Sequence, residues 1–233
     1  MSSQTRNEPS INAPRSYKPA ETLADRAYFL IEELIMTAAL RPGTFVSELQ
    51  LSAELGIGRT PVREALKRLE ADGLVTTVPS RGIMITVVDV AQELMVLEVR
   101  RELERLLAVR AARYATSVEK SRFLELIPLM REAAENDQSE QFMRYDQEFN
   151  TLLATASRNP VLAKSIRPLR SMSRRFWYQH YSERSGSLGR GSQTHTAVME
   201  AIVLGDEALA AKRMDILMDD VENFARATIE RFA

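Results

Sequence analysis

Apolar residues recur at helical spacing early in the chain, between short polar breaks. In ETLADRAYFLIEELIMTAAL they return every three or four residues, which predicts an amphipathic helix ended by Pro42 and Gly43. Ser47, with Gln50 three residues later, forms a capping-box pattern and opens a second helix. Gly56 ends that helix. The chain therefore begins its folded part with two short helices.

A third helix is predicted next, with Thr60 as its N-cap, Pro61 in its first position and Gly73 just past its end. The pattern then changes, because LVTTV and IMITVV are rich in β-branched residues and flank PSRG. This predicts a short hairpin with Gly82 at the turn. Three helices followed by a two-stranded hairpin predict a winged helix-turn-helix domain over residues 21–88.

The remainder of the chain, residues 90–233, is predicted to be wholly helical, with short polar breaks and a flexible SGSLGRG linker. The predicted helical segments are 90–114, 117–135, 138–157, 159–183, 192–204 and 206–232. Short connections between long helices favour an all-α antiparallel helical bundle. Residues 1–20 hold three prolines among polar residues and are predicted to be a flexible tail. The expected fold class is therefore mainly α.

Composition narrows the class of protein. The chain has 233 residues, 45% of them hydrophobic, a net charge of −1 and no cysteine. Two globular domains fit this length, and any nucleic-acid surface must be a local patch. The lack of cysteine excludes disulfides and thiolate metal sites. No apolar run reaches the roughly 20 residues that cross a bilayer, and the N-terminus lacks a signal-peptide core, so we expect a soluble cytoplasmic protein with no membrane partner.

One such patch lies in LGIGRTPVREALKRLEADGLV, which carries Arg59, Arg63, Lys67 and Arg68. Arg59 and Arg63 are four residues apart and share a helix face that Lys67 continues. A helix of this kind fits the DNA major groove, where arginine bridges guanine O6 and N7. The buried side is predicted to comprise Val62, Ala65, Leu66 and Leu69. Taken alone, the charges favour a solvated helix face. The order of capped helix, glycine turn, Thr-Pro start and hairpin favours DNA binding.

The segment LRPGTFVSELQLSAELGIGRTPVREALKRLEADGLVTTVPSRGIMIT resembles the DNA-binding domain of the GntR family of bacterial transcription regulators, and departs from its pattern mainly at Gly58. The resemblance implies that Arg59, Thr60 and Arg63 contact operator DNA and that Gly82 lies in the wing. Arg81 and Gly82 at the hairpin tip are predicted to meet a phosphate or the minor groove. A single winged helix reads a short half-site, so we expect a homodimer on double-stranded, palindromic operator DNA.

Four polar side chains lie along the predicted inner stripes of the helical bundle. Asp146 and Asn150 are four residues apart, and Arg100 and His195 lie on other segments. Such groups are costly to bury unless they pair with each other or with a ligand. The alternatives are that Asp146 and Asn150 are rim residues, that Arg100 pairs with Glu104, and that His195 is a packing histidine. All four are candidate effector-binding residues.

The segments EVRRELERLLAVRAA, YDQEFNTLLATASRNPVL and HTAVMEAIVLGDEALAAKRM resemble the FCD effector domain of the FadR branch of that family. In many FCD proteins an aspartate and three histidines hold a metal, often zinc or nickel. Asp146 and His195 match two of these positions, whereas Asn150 and Leu217 stand where histidines are expected. An amide oxygen is a weak substitute for imidazole, so a tight divalent-metal site is not expected. If a metal binds, Asp146 and His195 are its ligands.

Together these features predict a dimeric transcription regulator, a repressor, whose operator binding is modulated by a small-molecule effector. A small carboxylate, held by Arg100, Asn150 and His195, is the expected effector class. A metal-dependent sensor of the same family is the alternative. An enzyme built on Asp146 and His195 lacks an activated nucleophile, a phosphate loop and a full metal set, so no catalytic residue is predicted. A winged helix that binds another protein is the third interpretation.

Overall fold

The computed structural model describes residues 22–87, 90–180 and 188–232, so the predicted tail over residues 1–20 lies outside the described part. The elements of the described part are, in chain order, α1 (Leu23–Met36), β1 (Phe45–Val46), α2 (Glu48–Leu55), α3 (Arg59–Ala71), β2 (Val75–Val78), β3 (Gly82–Ile85), α4 (Val90–Tyr114), α5 (Ser117–Glu135), α6 (Ser139–Ala156), α7 (Pro160–His180), α8 (Leu188–Leu204) and α9 (Glu207–Phe232). The mainly α fold class and the winged helix-turn-helix followed by a helical bundle are confirmed.

Helices α2 and α3 end beside their predicted glycines, but two other predicted boundaries were wrong. Helix α1 ends at Met36, well before Pro42 and Gly43, because Ala38 turns the chain in a left-handed conformation with φ at 57°. The Ser47 side chain accepts a hydrogen bond from the Gln50 backbone and caps α2, which Gly56 ends in a left-handed conformation. The N-cap of α3 is Gly58, so the prediction that Thr60 caps this helix was wrong. The Gly58 carbonyl accepts the first helical hydrogen bond, from Val62 N at 3.3 Å. The helix therefore already includes Thr60.

The wing is a three-stranded antiparallel sheet in the order β1–β3–β2. β2 and β3 form the predicted hairpin, but β1 adds a third strand along β3, pairing Phe45 with Met84. The prediction of two strands missed β1 because two residues are too few to show an alternating pattern. Gly82 follows the turn and opens β3 with φ at 104°. A Cβ at this position would lie 3.1 Å from the Val46 carbonyl oxygen, so the added strand requires a glycine there.

Helix α3 anchors the core of the N-terminal unit. All four side chains that the sequence assigned to its inner side are buried, and they pack against α1 and the sheet. The largest side chain at the centre of this core is Tyr28, whose hydroxyl donates to Asp72 Oδ2 at 2.7 Å. The apolar side of α3 is thereby held inward, which leaves its basic side outward.

The helices α4–α9 pack into a bundle with a core of its own. α4 lies against α9 and α7, and α8 lies against α9 and α5. α8 begins at Leu188, although residue 192 was the predicted start, so part of the predicted SGSLGRG linker is helical; residues 185–187 lie outside the described part. Leu188 is buried in the core, and this packing overrides the weak helix propensity of Gly189 and Gly191. None of the helices in the described ranges is long and apolar enough to span a membrane.

Candidate DNA-binding face and effector cavity

Helix α3 presents an exposed basic face. Arg59, Thr60, Arg63 and Lys67 are all exposed, with 60% and 53% of the side-chain surface of Arg59 and Arg63 accessible. The structure thus brings together on one surface the four residues of α3 that the sequence singled out. Their role in DNA contact stays a prediction.

Glu48, at the start of α2, lies against this face and was missed by the sequence analysis. Arg63 donates from Nε and Nη2 to the two oxygens of the Glu48 carboxylate, each at 2.7 Å. Arg59 Nη2 lies 3.9 Å from the same carboxylate. The hydrogen bond from Arg63 lowers the pKa of Glu48, so the pair stays charged at neutral pH. Exposed ion pairs contribute little to stability, so Glu48 orients Arg63 without holding it strongly against a competing DNA.

Arg68 is the one member of the basic run that turns away from this face. Its Nη1 donates to Asp25 Oδ1 at 2.7 Å, and its guanidinium lies 4.7 Å from the centroid of the Tyr28 ring. In the wing, Arg81 is exposed in the turn before Gly82. Its guanidinium lies 5.0 Å from the centroid of the Phe45 ring, so the third strand supports the wing arginine.

A cavity of about 1020 Å³ lies within the helical bundle. Its wall comes from α4, α6, α7, α8 and α9, and also from α1 of the N-terminal unit through Phe29 and Glu32. The structure brings together at this cavity all the candidate effector residues, namely Arg100, Asp146, Asn150 and His195. Its volume is on the order of the largest pockets that hold small molecules.

Asp146, Asn150 and His195 form one hydrogen-bonded group in the cavity wall. His195 Nε2 lies 2.9 Å from Asp146 Oδ1, and His195 Nδ1 lies 2.6 Å from the Gly191 carbonyl oxygen. Both neighbours are acceptors, so this arrangement favours the ring form that donates from both nitrogens. Burial opposes both charges, but the hydrogen bond and charge of each partner outweigh it, raising the pKa of His195 and lowering that of Asp146. Asn150 Nδ2 donates to Asp146 Oδ2 at 3.0 Å.

This group does not fit the metal that the FCD resemblance implies. Asp146 Oδ1 and His195 Nε2 are the two atoms of metal-binding type that meet in this group, fewer than a tetrahedral metal site requires. Asn150 turns its amide nitrogen toward Asp146, and Leu217 adds an apolar side chain to the wall. Across residues 22–87, 90–180 and 188–232, no three histidine, cysteine or carboxylate side chains are grouped to hold a metal ion. The pair is therefore already satisfied without a cation.

Arg100 pairs with Glu104, as one alternative interpretation expected. Arg100 Nη2 donates to Glu104 Oε1 at 3.1 Å, and Arg170 Nε donates to the same oxygen at 2.8 Å. Burial raises the pKa of Glu104, but the charges and hydrogen bonds of the two arginines outweigh it and lower that pKa. Arg170 also donates from Nη1 to the Asn150 carbonyl at 2.6 Å. Sequence analysis did not single out Arg170, because several arginines of α7 follow one another at short intervals.

Helix α7 lies between the cavity and the N-terminal unit. Arg170, Arg174 and Trp177 recur at helical spacing on the side that lines the cavity. The neighbouring side contacts α1, the end of α3 and the end of β3 through side-chain hydrogen bonds. These pairs are Ser171–Glu32, Arg167–Asp72 and Arg175–Thr86. One helix thus contacts both the cavity and the winged helix-turn-helix.

Comparison with known proteins finds two family models that match this chain. Residues 23–85 match the bacterial regulatory proteins of the gntR family, and residues 95–220, more than half of the chain, match the FCD domain. The chain belongs to this family of bacterial regulators. The relatives are named as transcription regulators, in agreement with the regulator that the sequence analysis expected.

Among these relatives, the Nta operon transcriptional regulator of Aminobacter aminovorans is 32% identical over 129 residues, which cover 55% of this chain and 61% of that protein. An uncharacterised regulator of Agrobacterium vitis is 37% identical over 109 residues, which cover 47% of this chain and 61% of that protein. The transcriptional repressor RspR of Escherichia coli K12 is 26% identical over 163 residues, which cover 70% of this chain and 72% of that protein. The matches to the first two thus span about three-fifths of those relatives.

Two solved structures share the fold. E. coli McbR/YncC has a TM-score of 0.79 and 21% identity, over 89% of this chain and 99% of that chain. A GntR regulator of Rhodococcus sp. RHA1 has a TM-score of 0.68 and 21% identity, over 88% of this chain and 97% of that chain. At this identity the likeness extends to the arrangement of the winged helix-turn-helix and the bundle.

Proposed function

We propose that this gntR-family regulator is a cytoplasmic repressor that binds a palindromic operator as a homodimer, and that a small anionic effector in the cavity changes its operator affinity. A single observation carries the proposal: α7 lines the cavity with one side and contacts the winged helix-turn-helix with the next. An effector that binds one placement of α7 better than another shifts the population toward it. Operator affinity and effector affinity are then coupled.

The DNA-binding part of the proposal rests on the exposed side of α3. Arg59, Thr60, Arg63 and Lys67 are exposed on this side, whereas the apolar residues of the opposite side are buried. The free donors of the first turn and the guanidinium of Arg63 suit phosphate and guanine respectively. Arg81 in the wing extends the same positive surface.

The homodimer is supported by an apolar stripe on α4. Met95, Val99 and Leu106 lie four and seven residues apart, and 62%, 52% and 45% of their respective surfaces are exposed. Apolar side chains grouped on one helix face favour burial against a second copy. A two-fold pairing of this face presents two α3 helices to the two halves of a palindrome.

Repression is supported by a relative and by simple geometry. RspR of E. coli is named a transcriptional repressor, and its match extends over 70% of this chain. A dimer bound across a promoter blocks access of the polymerase. An effector that lowers operator affinity then relieves the block.

The test is fluorescence anisotropy with a DNA fragment that the protein selects from its genome, in a salt series. We expect wild type to prefer this fragment over a scrambled one, and Arg63→Ala to lose roughly 5- to 150-fold in affinity for the selected fragment, because a bidentate base contact is removed. Arg68→Ala is the matched control, since Arg68 lies on the same helix but faces Asp25. Equal loss in both variants, or equal binding of both fragments by wild type, contradicts the proposal.

A further inference from the structure

We propose that Arg174 holds the anionic group of the effector, and that the effector is a carboxylate whose apolar body packs beside Trp177. This inference rests on the proposed function and specifies its ligand. The residue proposed to contact the anion is thus an arginine of α7, in place of Arg100, which the sequence analysis suggested.

The argument begins with the charges in the cavity wall. The described residues that line it include the arginines Arg100, Arg158, Arg167, Arg170, Arg174 and Arg190. Five of them are paired with carboxylates: Arg100 and Arg170 with Glu104, Arg158 with Glu119, Arg167 with Asp72, and Arg190 with Asp220. Within the ranges that the structure describes, Arg174 takes part in no ion pair, and its Nε is buried with no acceptor in reach. The Arg174 side chain is partly exposed, and a buried donor without an acceptor is costly, so the cavity favours an anion at this point.

Arg174 is also held where a ligand can reach it. It stands one turn after Arg170 and one turn before Trp177, on the side of α7 that lines the cavity. Its guanidinium lies 5.8 Å from the centroid of the Tyr178 ring, which supports it from behind. Burial raises the pKa of Asp146, whereas the hydrogen bond and charge of His195 lower it. The charge of Arg174 lowers the pKa of Asp146 further, so Arg174 lies near this pair.

The class of ligand follows from what else lines the cavity. Asp146 and His195 already neutralise each other, so they require no charge from the ligand. Much of the remaining wall is apolar, including Phe142, Met143, Leu188, Leu217 and Trp177. A planar carboxylate matches the two-pronged donor geometry of a guanidinium. The ligand that satisfies both parts is a carboxylate with an apolar chain or ring.

Trp177 reports on this site directly, because it is the single tryptophan of the chain and lines the same cavity. The experiment uses the full-length protein without DNA and compares wild type, Arg174→Gln and Arg158→Gln. Arg158 is the matched control, since it also lines the cavity but is paired with Glu119. Quenching of the tryptophan fluorescence by iodide is measured relative to neutral acrylamide. Hexanoate and benzoate are then titrated beside hexanamide and benzamide.

We expect Arg174→Gln to lower the iodide-to-acrylamide quenching ratio by about threefold, the effect of one unit charge about 6 Å away in water. We expect the acids to bind wild type and to lose at least about tenfold in affinity in Arg174→Gln, while Arg158→Gln stays close to wild type. An unchanged iodide ratio in Arg174→Gln, equal binding of acid and amide, or no binding of either acid by wild type overturns the proposal. Because no DNA is present, these outcomes are independent of the operator assay.

Discussion

Glu104 shows what a buried charge needs in this protein. Only 1% of its side chain is accessible. Its Oε1 accepts a hydrogen bond from Arg100 of α4, and its Oε2 accepts one from Arg170 of α7. Asp146 follows the same rule, with His195 on one oxygen and Asn150 on the other. Both buried carboxylates are therefore hydrogen-bonded at each oxygen, whereas Arg174 leaves its Nε without an acceptor among the described residues.

The pair of Asp146 and His195 predicts a dependence of stability on pH. His195 has a raised pKa, so its contribution is fully present below the ordinary value of 6.5 and is lost as the pH rises through the raised value. Asp146 has a lowered pKa, so its contribution is present above the ordinary value of 3.8 and is lost as the pH falls through the lowered one. The pair is therefore most stabilising between these two ordinary values.

We expect His195→Gln to lower the free energy of unfolding by about 2 kcal/mol at pH 6 and by clearly less at pH 9, measured by urea denaturation. An NMR titration of wild type and Asp146→Asn is the control, because removing the carboxylate should lower the pKa of His195. A difference between wild type and His195→Gln that is the same at pH 6 and pH 9 contradicts this assignment.

At the scale of single elements, contacts with other elements decide where helices and strands begin. The glycine-rich residues 188–191 are helical because the Leu188 side chain is buried in the bundle core. β1 exists because Phe45 and Val46 pair with β3, although two residues have no recognisable strand pattern. The wing depends on this third strand, which also places Phe45 beneath Arg81.

Gly82 allows this dependence to be tested. Gly82→Ala introduces a Cβ that meets the Val46 carbonyl at 3.1 Å, in addition to backbone strain at φ 104°. Gly56→Ala is the matched control, because Gly56 also has a positive φ, 62°, but has open space around its Cβ position. We expect Gly82→Ala to cost at least about 1 kcal/mol more than Gly56→Ala in urea denaturation, and to weaken DNA binding. Equal costs in the two variants would show that β1 does not press on this position.

At the scale of the whole molecule, α7 joins the two cores. Its hydrogen bonds reach α1, α3 and the wing, while its other side lines the cavity that α1 also closes through Phe29 and Glu32. Ser171 donates to Glu32, which is itself buried. Movement of α7 therefore cannot leave the winged helix-turn-helix unaffected.

We expect Ser171→Ala to lower the free energy of unfolding by about 1–3 kcal/mol, because Glu32 loses a hydrogen-bond donor in a buried setting. Hydrogen exchange should accelerate in α1 as well as in α7. Ser165→Ala is the matched control on the same helix, since Ser165 is exposed and bonds only to the Val161 carbonyl of its own turn. Exchange that accelerates in α7 alone contradicts a mechanical link between the two units.

Short-range interactions explain what the sequence alone determined. Apolar periodicity, the Ser47 cap and the terminal glycines predicted the helices, the hairpin and the buried side of α3. These features depend on residues a few positions apart, so they are visible in the order of the residues. The same holds for the exposed basic face of α3, because burying one side of a helix leaves the other side outward.

Long-range packing decided the rest. The sequence placed Arg100, Asp146, Asn150 and His195 on inner stripes, but only the fold shows that they share a cavity and which of them are already paired. Two features join segments far apart in the chain, namely the contact of Glu48 with Arg63 and the third strand beside Gly82. The lack of an acceptor for Arg174 Nε depends on all the residues around it. Whether a charge inside a protein is balanced depends on all the charged and polar groups around it in space. These neighbours come from different helices, so they are known only once the helices have packed.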